Sequence, residues 1–600
     1  MGAELQPFAV VIRTGQVPGE GLHGTRPSRM AGSAVVFIRL GALLLSALAV
    51  CAMASLVRVI PYGRAIKDYL FILDGSYRIG LGQVPHVDFS SPIGPLTLYL
   101  TWLAGRLFPA GQPFVGLHAL MWIAFLPPLA CLAPRGQSGA RFGAAVGLLA
   151  LVVLVPFTLD STHLSEISYF AIYNRFASGG LFLVALWYVL PKQRWDAVLL
   201  AYLISLLFFL KITAAVTACG LLFAAMFLRR TSLLTVAGAL VAAVGLCSLV
   251  EAKTGLVSAY LRDIIEMSAI NAAGLSYRLL AAAAQNWTPL AAAALIAGLA
   301  AWDMRCARAL SFARPGAALA RLVRDEPFVI DVLLLIGMAL MADSQNTGGI
   351  GLVAAAAVLF RNDVAAQQPA RFAAAVLLGA SLVLPLISLA VDRSVTALVR
   401  ERAGTTEHAF STLLPGMRVP TPTLEGARLF RQILHSWLPL ADEIQNRHFN
   451  LVNDPTDNAP AALAAWAEDV TDAAAVFRAE GLAASAKRYA TLAFADPFAR
   501  LLGLTPARGV SLVMDVHRTV GLFDPQEASR YLSDADGVFV ARCELTNGET
   551  TSRVVFDAVL AAEFERHRLN ACWDFYRRKA ASYLNVSASY DPRWPDLGHP

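Results

Sequence analysis

The sequence predicts an all-α polytopic membrane protein that carries a C-terminal mixed α/β soluble domain, and three observations predict it. Apolar runs recur from residue 34 to residue 391, and roughly 20 apolar residues suffice to cross a ~30 Å hydrocarbon core. Hydrophobic residues make up 56% of the chain and charged ones only 15%, which excludes an ordinary soluble domain. From residue 392 onward the polar fraction rises and no run is long enough to span. The expected parts are a cytoplasmic tail (1–33), a transmembrane domain (34–391) with a first external loop (61–92), and a soluble, extracytoplasmic domain (392–600).

The spans fall at 34–60, 93–109, 114–133, 142–158, 171–190, 197–228, 232–250, 288–302, 328–342, 348–360 and 371–391. Residues 197–228 are too long for one upright helix and carry Lys211 in the middle, so they form either a tilted, broken helix or a tight pair. The total is therefore about 11–12 helices. Arg13, Arg26, Arg29 and Arg39 hold the N-terminus inside, and Arg135 with Arg141, Arg229 with Arg230, and the run from Arg305 to Arg324 mark further cytoplasmic loops. An outward first loop and an inward Arg135 loop conflict if 93–109 and 114–133 both cross. The conflict disappears if 93–109 is half-buried or re-entrant, which also places the C-terminal domain outside.

The net charge of +6 follows from this arginine asymmetry, so nucleic acid is excluded as a partner. The seven cysteines fit no zinc or redox spacing; Cys543 and Cys572 are either two free thiols or, if their domain is outside, able to form a disulfide. In that domain AALAAWAEDVTDAAAVFRAEGLAASAKRYA reads as helix, SLVMDV and DGVFVAR as strands, and Asp496-Pro497-Phe498 with Pro506 and Arg508-Gly509 as a loop motif suited to acceptor binding or assembly.

The stretch KDYLFILDGSYRIGLGQVPHVDFSSPIGPL, Lys67 to Leu96, carries Asp68, Asp74 and Asp88 beside the membrane, where an acid is costly unless solvated, paired or used. Asp68 can act as a general base, and Arg64, Lys67 and Arg78 can hold a phosphate. The alternative is a set of ordinary interfacial charges, cations snorkelling to headgroups with acids paired to them. Downstream, Tyr173, Asn174 and Arg175 are candidate contacts to a donor phosphate or sugar hydroxyls, with Asp160, His163 and Glu166 just before them, or else they anchor a helix at the interface. Lys211 must face protein, water or a phosphate, or be a loop residue between short spans. Asp343, Gln345 and Asn346 lie in a loop that either lines the same cavity or is a plain turn.

Asp68, the aromatic stretch after it, GQVPHVDF and the Pro-rich start of the next segment resemble the polyprenyl-phosphate-dependent glycosyltransferases of the GT-C fold, which include protein mannosyltransferases and lipid A aminoarabinose transferases. Residues 67–96 carry the motif, and the architecture of the first 390 residues carries the rest of the likeness. The resemblance implies catalytic roles for Asp68 and Asp88, a substrate-binding role for His86 within Pro85-His86-Val87-Asp88-Phe89, and phosphate contact by Lys211. Lys67-Asp68-Tyr69 departs from the frequent Asp-Glu pattern, which leaves the acid's exact role open. The implied protein is an inverting glycosyltransferase of a bacterial inner membrane, its site facing the periplasm, with a polyprenyl-phosphate sugar as donor and a glycan, lipid or protein as acceptor. A divalent cation is left open as cofactor. The rival is a transporter or flippase of lipid-linked sugar, which the absence of a sequence repeat and of paired midplane charges disfavours.

Overall fold

In a bilayer every backbone N–H and C=O must be satisfied within the chain, and the apolar runs meet that demand as helices. The computed structural model describes residues 29–158, 167–271, 274–306, 323–345, 350–446, 460–516, 518–543 and 556–579. Five helices are long and apolar enough to cross a membrane, or six if one bent pair counts as a span, and shorter apolar helices accompany them.

Side-chain contacts at the helix ends define two faces. Within helix α1 (Arg29–Leu56) Arg39 reaches the carbonyls of Ala133 and Gln137 at one face, and just past the helix end Val57 O accepts from Gln112 N at 2.9 Å at the other. Helix α2 (Ile66–Gly80) stays at that second face, and α3 (Pro95–Leu107) lies there too. At the start of α3 a Cβ on Gly94 would meet Phe209 O at 2.3 Å, and just past its end one on Gly111 would strike Ala54 O. Both ends of α3 are thus held on one face, and residues 93–109 do not run from one face to the other. Their apolar length covers neighbouring helices instead.

Helices α4 (Pro113–Leu132), α5 (Gly139–Leu154) and α6 (Ile172–Val189) then alternate between the faces. Helices α7 (Asp196–Leu210) and α8 (Ile212–Phe227) form a hairpin rather than one tilted rod. Asp196 at its start pairs with Arg135 at 2.6 Å, and both Asp196 and Arg230, beyond its end, act electrostatically on Lys192. Lys211 sits in extended conformation at the apex. Helix α9 (Leu233–Thr254) returns to the apex face, where α10 (Leu256–Asn271) and α11 (Leu275–Gln285) follow. Helix α12 (Trp287–Cys306) leaves α11 at 81°, and Asp303 near its far end meets Arg371 at 2.6 Å. Helix α13 (Pro327–Gln345), a 3-10 segment (Gly351–Phe360) and α14 (Pro369–Arg402) complete the apolar part. Asp343 caps the 3-10 segment, accepting from Gly351 N at 2.5 Å and Leu352 N at 3.3 Å, which gives this loop acid a structural use. Helix α14 runs unbroken past residue 392, so the expected boundary falls inside a helix.

The remaining chain packs on the apex face through α15 (Ala409–Leu413), α16 (Thr421–Asn446), α17 (Pro460–Ala479), α18 (Phe498–Leu502) and α19 (Pro525–Tyr531). Ten short strands are described: β1 (Ile60–Pro61), β2 (Phe89–Ser90), β3 (Thr405–Glu407), β4 (Met417–Pro420), β5 (Arg488–Leu492), β6 (Thr505–Pro506), β7 (Val510–Ser511), β8 (Gly537–Ala541), β9 (Phe564–Arg568) and β10 (Trp573–Arg578). The main sheet has the order β6-β5-β8-β10-β9, parallel at β6-β5-β8 and antiparallel beyond. Its core is aromatic, with Phe498 stacked on Phe539 at 4.1 Å, and Cys543 and Cys572 are joined in a disulfide. DGVFVAR supplies β8, whereas SLVMDV is a strand only at its first residue, because Thr519 Oγ1 folds the chain back onto Val513 O at 2.6 Å.

Two strand pairs stitch the halves together: β1 beside β4, and β2 beside β7. Between them Arg78 donates to Asp74 at 2.8 Å and to Ala507 O at 3.3 Å, stands 3.8 Å from Asp496, and covers the ring of Phe89. Burial holds the Asp74 carboxyl up at about 6 despite Arg78, and the nearby Asp496 adds to the rise. Removing one partner of a buried pair costs roughly 3–5 kcal/mol because a charge is left stranded. Arg78→Ala is therefore expected to lower the melting temperature of the purified protein sharply and to expose 500–512 to protease, measured by thermal unfolding and limited proteolysis; an unchanged digest would show that this cluster does not dock the C-terminal part.

Candidate active site at the apex face

The backbone between β1 and α2 runs beside the backbone just before α6. Arg64 N donates to Ile167 O at 2.8 Å, Tyr169 N returns to Arg64 O at 3.1 Å, and a Cβ on Gly63 would meet Ile167 O at 2.5 Å. Glycine at position 63 is what allows this approach. Both segments turn into their helices through left-handed alanines, Ala65 at φ 52° and Ala171 at φ 49°. An alanine in that region costs roughly 1–2 kcal/mol, and such strain persists only where the surroundings over-determine it. Here the two alanines aim one hydrogen bond: Ala171 N–H donates to Asp68 Oδ2 at 2.8 Å.

Asp68 is 8% exposed, and its other oxygen has no hydrogen bond among the described residues. Burial raises its carboxyl to about 6; the amide of Ala171 and the charge of Arg518 pull down, and Asp515 pushes up. Arg518 donates to Asp515 at 3.1 Å, and its field also reaches Tyr173 and Lys211. Lys211 Nζ lies 5.3 Å from the Tyr173 ring centroid and has no carboxylate within ion-pair distance among the described residues. The apex site therefore gathers a buried carboxylate, a phenol, an ammonium at a helix break and an Asp-Arg pair from the C-terminal domain.

The other expected residues separate by task. Asp88 accepts from Val84 N at 2.7 Å, its carbonyl accepts from Gly509 N at 2.7 Å, and its carboxylate stands 3.4 Å from Arg508, so it works at the docking seam. His86, at φ 67°, pairs through Nδ1 with Asp263 at 2.7 Å and rests on Tyr260. Lys67 lies over the Trp466 ring at 5.5 Å, and Arg64 contributes the backbone pairing given above. Arg78 faces Asp74 and Asp496. Arg175 is buried and donates to the carbonyls of Phe157 and Val155, closing the end of α5, while Asn174 is buried one residue away and accepts from Ser178 through its carbonyl at 3.0 Å. Of the expected phosphate contacts, Lys211 and Tyr173 share the site with Asp68, whereas Arg78 and Arg175 spend donors on protein groups. Asp160, His163, Glu166 and Asn346 lie outside the described residues.

Asp68, Asp74 and Asp88 do not converge on one point, so the first loop alone offers no cation cage among the described residues. His435, Asp469 and Cys572 come together in the C-terminal domain, but the sulfur of Cys572 is committed to Cys543. Arg518 and Asp515 are the residues that motif spacing missed. They lie more than 400 positions from Asp68, in a segment whose only local signal is the turn held by Thr519.

No family model matches the chain, and no curated protein or solved structure does.

A carboxyl whose folded value is raised by burial is favoured in its neutral form. Its ionised form weakens the fold above about pH 6, and the penalty vanishes below the ordinary value of 3.8. That difference corresponds to about 3 kcal/mol at neutral pH. Asp68→Asn keeps an acceptor for Ala171 N–H and is expected to melt several degrees above wild type at pH 7.5, with the gap closing towards pH 4. A gap independent of pH would mean that Asp68 does not carry the burial penalty.

Proposed function

We propose that the chain is a membrane-embedded, inverting glycosyltransferase that takes a sugar from a polyprenyl-phosphate donor and passes it to an acceptor hydroxyl at the apex face. The observation that carries the reading is the juxtaposition, across Tyr173, of a buried carboxylate held by strained backbone with an ammonium that lacks a carboxylate partner among the described residues. A catalytic base needs a value near the working pH, and Asp68 has one; a cation held within an apolar hairpin needs an anion, and a donor phosphate is one.

In this mechanism the acceptor O–H lies against the uncommitted oxygen of Asp68. As the acceptor oxygen bonds to the anomeric carbon from one side, its proton passes to Asp68 and the carbon–oxygen bond to phosphate breaks on the other side. The electron pair leaves with the polyprenyl phosphate, whose growing charge is met by Lys211 and Arg518. Ala171 N–H holds the carboxylate still, and Tyr173 covers Lys211 and lines the space between them. The transmembrane hairpin would then supply the cation for the lipid end, and the C-terminal domain the cation for the open side.

The alternating helix ends support eleven crossings, with α3 lying flat and α7–α8 counted as two. The face that bears Arg135, Lys192, Arg194, Arg229, Arg230 and Arg361 would be cytoplasmic by the positive-inside rule, and the apex face extracytoplasmic. The Cys543–Cys572 disulfide favours the same orientation, since disulfides persist in oxidising compartments. In a bacterium this corresponds to the inner membrane with the site on the periplasmic side.

Radiolabelled sugar transfer by purified protein in lipid, with polyprenyl-phosphate sugars as donors and membrane extract as acceptor, tests the proposal. Asp68→Asn is expected to lose transfer by at least about a hundredfold with normal abundance, and wild-type rate is expected to climb with pH and level off above about 6. Arg518→Ala and Lys211→Met should each raise the KM for donor. Near-normal transfer by Asp68→Asn would remove it from the mechanism, and donor movement across sealed vesicles without transfer would favour a flippase.

A further inference from the structure

At the face opposite Asp68 a cavity of about 400 Å³ opens between the ends of α6 and α8 and the turn after the 3-10 segment. Helix α6 carries the chain about 24 Å from Tyr173 to its end at Val189, on this face, at about 1.5 Å per residue. Lys192, Arg230 and Arg361 line the cavity with Asn362 and Asp363. Behind them Asp331, fully buried, accepts from Tyr188 at 2.7 Å and Arg230 at 2.6 Å and also pairs with Arg361. Arg361 further donates to Asp363 at 2.8 Å.

Two arginines and Lys192, whose ammonium is pulled down to about 7 by burial, thus face two carboxylates, and one of the two is shared between both arginines. An arginine has five N–H donors, so Arg230 and Arg361 each keep some beyond their bonds to Asp331, Asp363 and Pro327 O. Lys192 differs: its ammonium donates to the carbonyls of Trp187, Tyr188 and Leu190 at 2.5, 2.8 and 3.1 Å, so it offers field rather than further bonds. The wall beside it is apolar, formed by Val189, Leu190 and Pro191. Just past Arg230, Leu233 and Leu234 stand 67% and 84% exposed at the start of α9. A cationic mouth with an apolar flank suits an anion that carries a greasy tail.

We propose that this cavity binds a phosphate-bearing anion, with an anionic phospholipid headgroup as its occupant and the acyl chains lying along Leu233 and Leu234. Arg230 and Arg361 donate to the phosphate oxygens, and Lys192 supports them electrostatically. The inference is independent of the activity proposed for Asp68, because the two sites lie on opposite faces and share no residue.

Thermal unfolding of the full chain in detergent tests it, with phosphatidylglycerol, phosphatidylcholine or inorganic phosphate added. Phosphatidylglycerol is expected to raise the melting temperature saturably, phosphatidylcholine to leave it unchanged, and inorganic phosphate to act only at much higher concentration. Asn362 is exposed, so Asn362→Asp adds a negative charge to the lining without breaking a bond, and it should cut the phosphatidylglycerol shift at least by half. Arg230→Gln should abolish it. Equal potency of inorganic phosphate would keep the site and reassign its occupant to a free anion. No shift with either anion, or a full wild-type shift in Asn362→Asp, would overturn the proposal.

Discussion

One hydrogen bond organises the apex face: the amide of Ala171 on the carboxylate of Asp68. To make it, the chain accepts two left-handed alanines and presses Gly63 against Ile167. Neither alanine is the residue that such a conformation favours, and glycine would relieve each. Strain of this kind, next to a buried acid whose ionised form itself weakens the fold, is destabilising twice over in one place. The surrounding packing must supply the difference, and it does so from two directions. Tyr69 OH bonds Gln112 at 2.8 Å, and Gln112 in turn holds Phe114 N and Pro415 O, tying α2 to α4 and to the C-terminal part.

The C-terminal domain is consequently part of the site rather than an appendage. Its contacts with the first loop use main chain as well as side chains: β2 pairs with β7, Gly509 N bonds Asp88 O, and Gln83 reaches Pro506 O at 2.8 Å. Main-chain pairing fixes register, so the segment that follows β7 is delivered to a defined place. That place is beside Asp68, where Asp515 and Arg518 arrive. The loop motif at Asp496 and Pro506 to Gly509 is the docking edge that makes this delivery reproducible. Asp496 serves twice, capping α18 through Phe498 N at 2.8 Å while facing Arg78.

How much of this was legible in the sequence depended on whether the cause was local. Apolar length and arginine placement are local, and they predict a helical bundle, the hairpin as one of two options at Lys211, and a half-buried or re-entrant 93–109 segment as the way out of a topological conflict. The cluster of acids in 67–96 was equally visible, with Asp68 as its candidate general base. What could not be seen was partnership over long separations. Arg78 and Arg175 have the chemistry of phosphate ligands, yet one is taken by Asp74 and Asp496 and the other by two carbonyls at the end of α5. The resemblance of Pro85-His86-Val87-Asp88-Phe89 to a family motif implied a second catalytic acid at Asp88, but its contacts are with its own turn and with Arg508. Arg518 and Asp515 carried no motif, because their relation to Asp68 exists only after β2 and β7 pair.

The two faces handle charge in opposite ways, and the contrast bears on function. At the arginine-rich face, cations sit in ion pairs: Arg135 with the buried Asp196, Arg230 and Arg361 with the buried Asp331, and Arg371 with the half-buried Asp303 and Glu326. Pairing of this kind is what apolar surroundings demand of a static structure. At the apex, among the described residues, Lys211 lies against the ring of Tyr173 with no carboxylate at ion-pair distance, and Asp68 accepts a single amide hydrogen bond. A ring face attracts an ammonium without neutralising it, and one amide satisfies one of a carboxylate's oxygens. Both groups thus retain unspent interaction capacity in a setting where unspent capacity is expensive. A ligand that brings a phosphate to the cation and a hydroxyl to the carboxylate would complete both at once, so the incompleteness of the apex is itself a description of what belongs there.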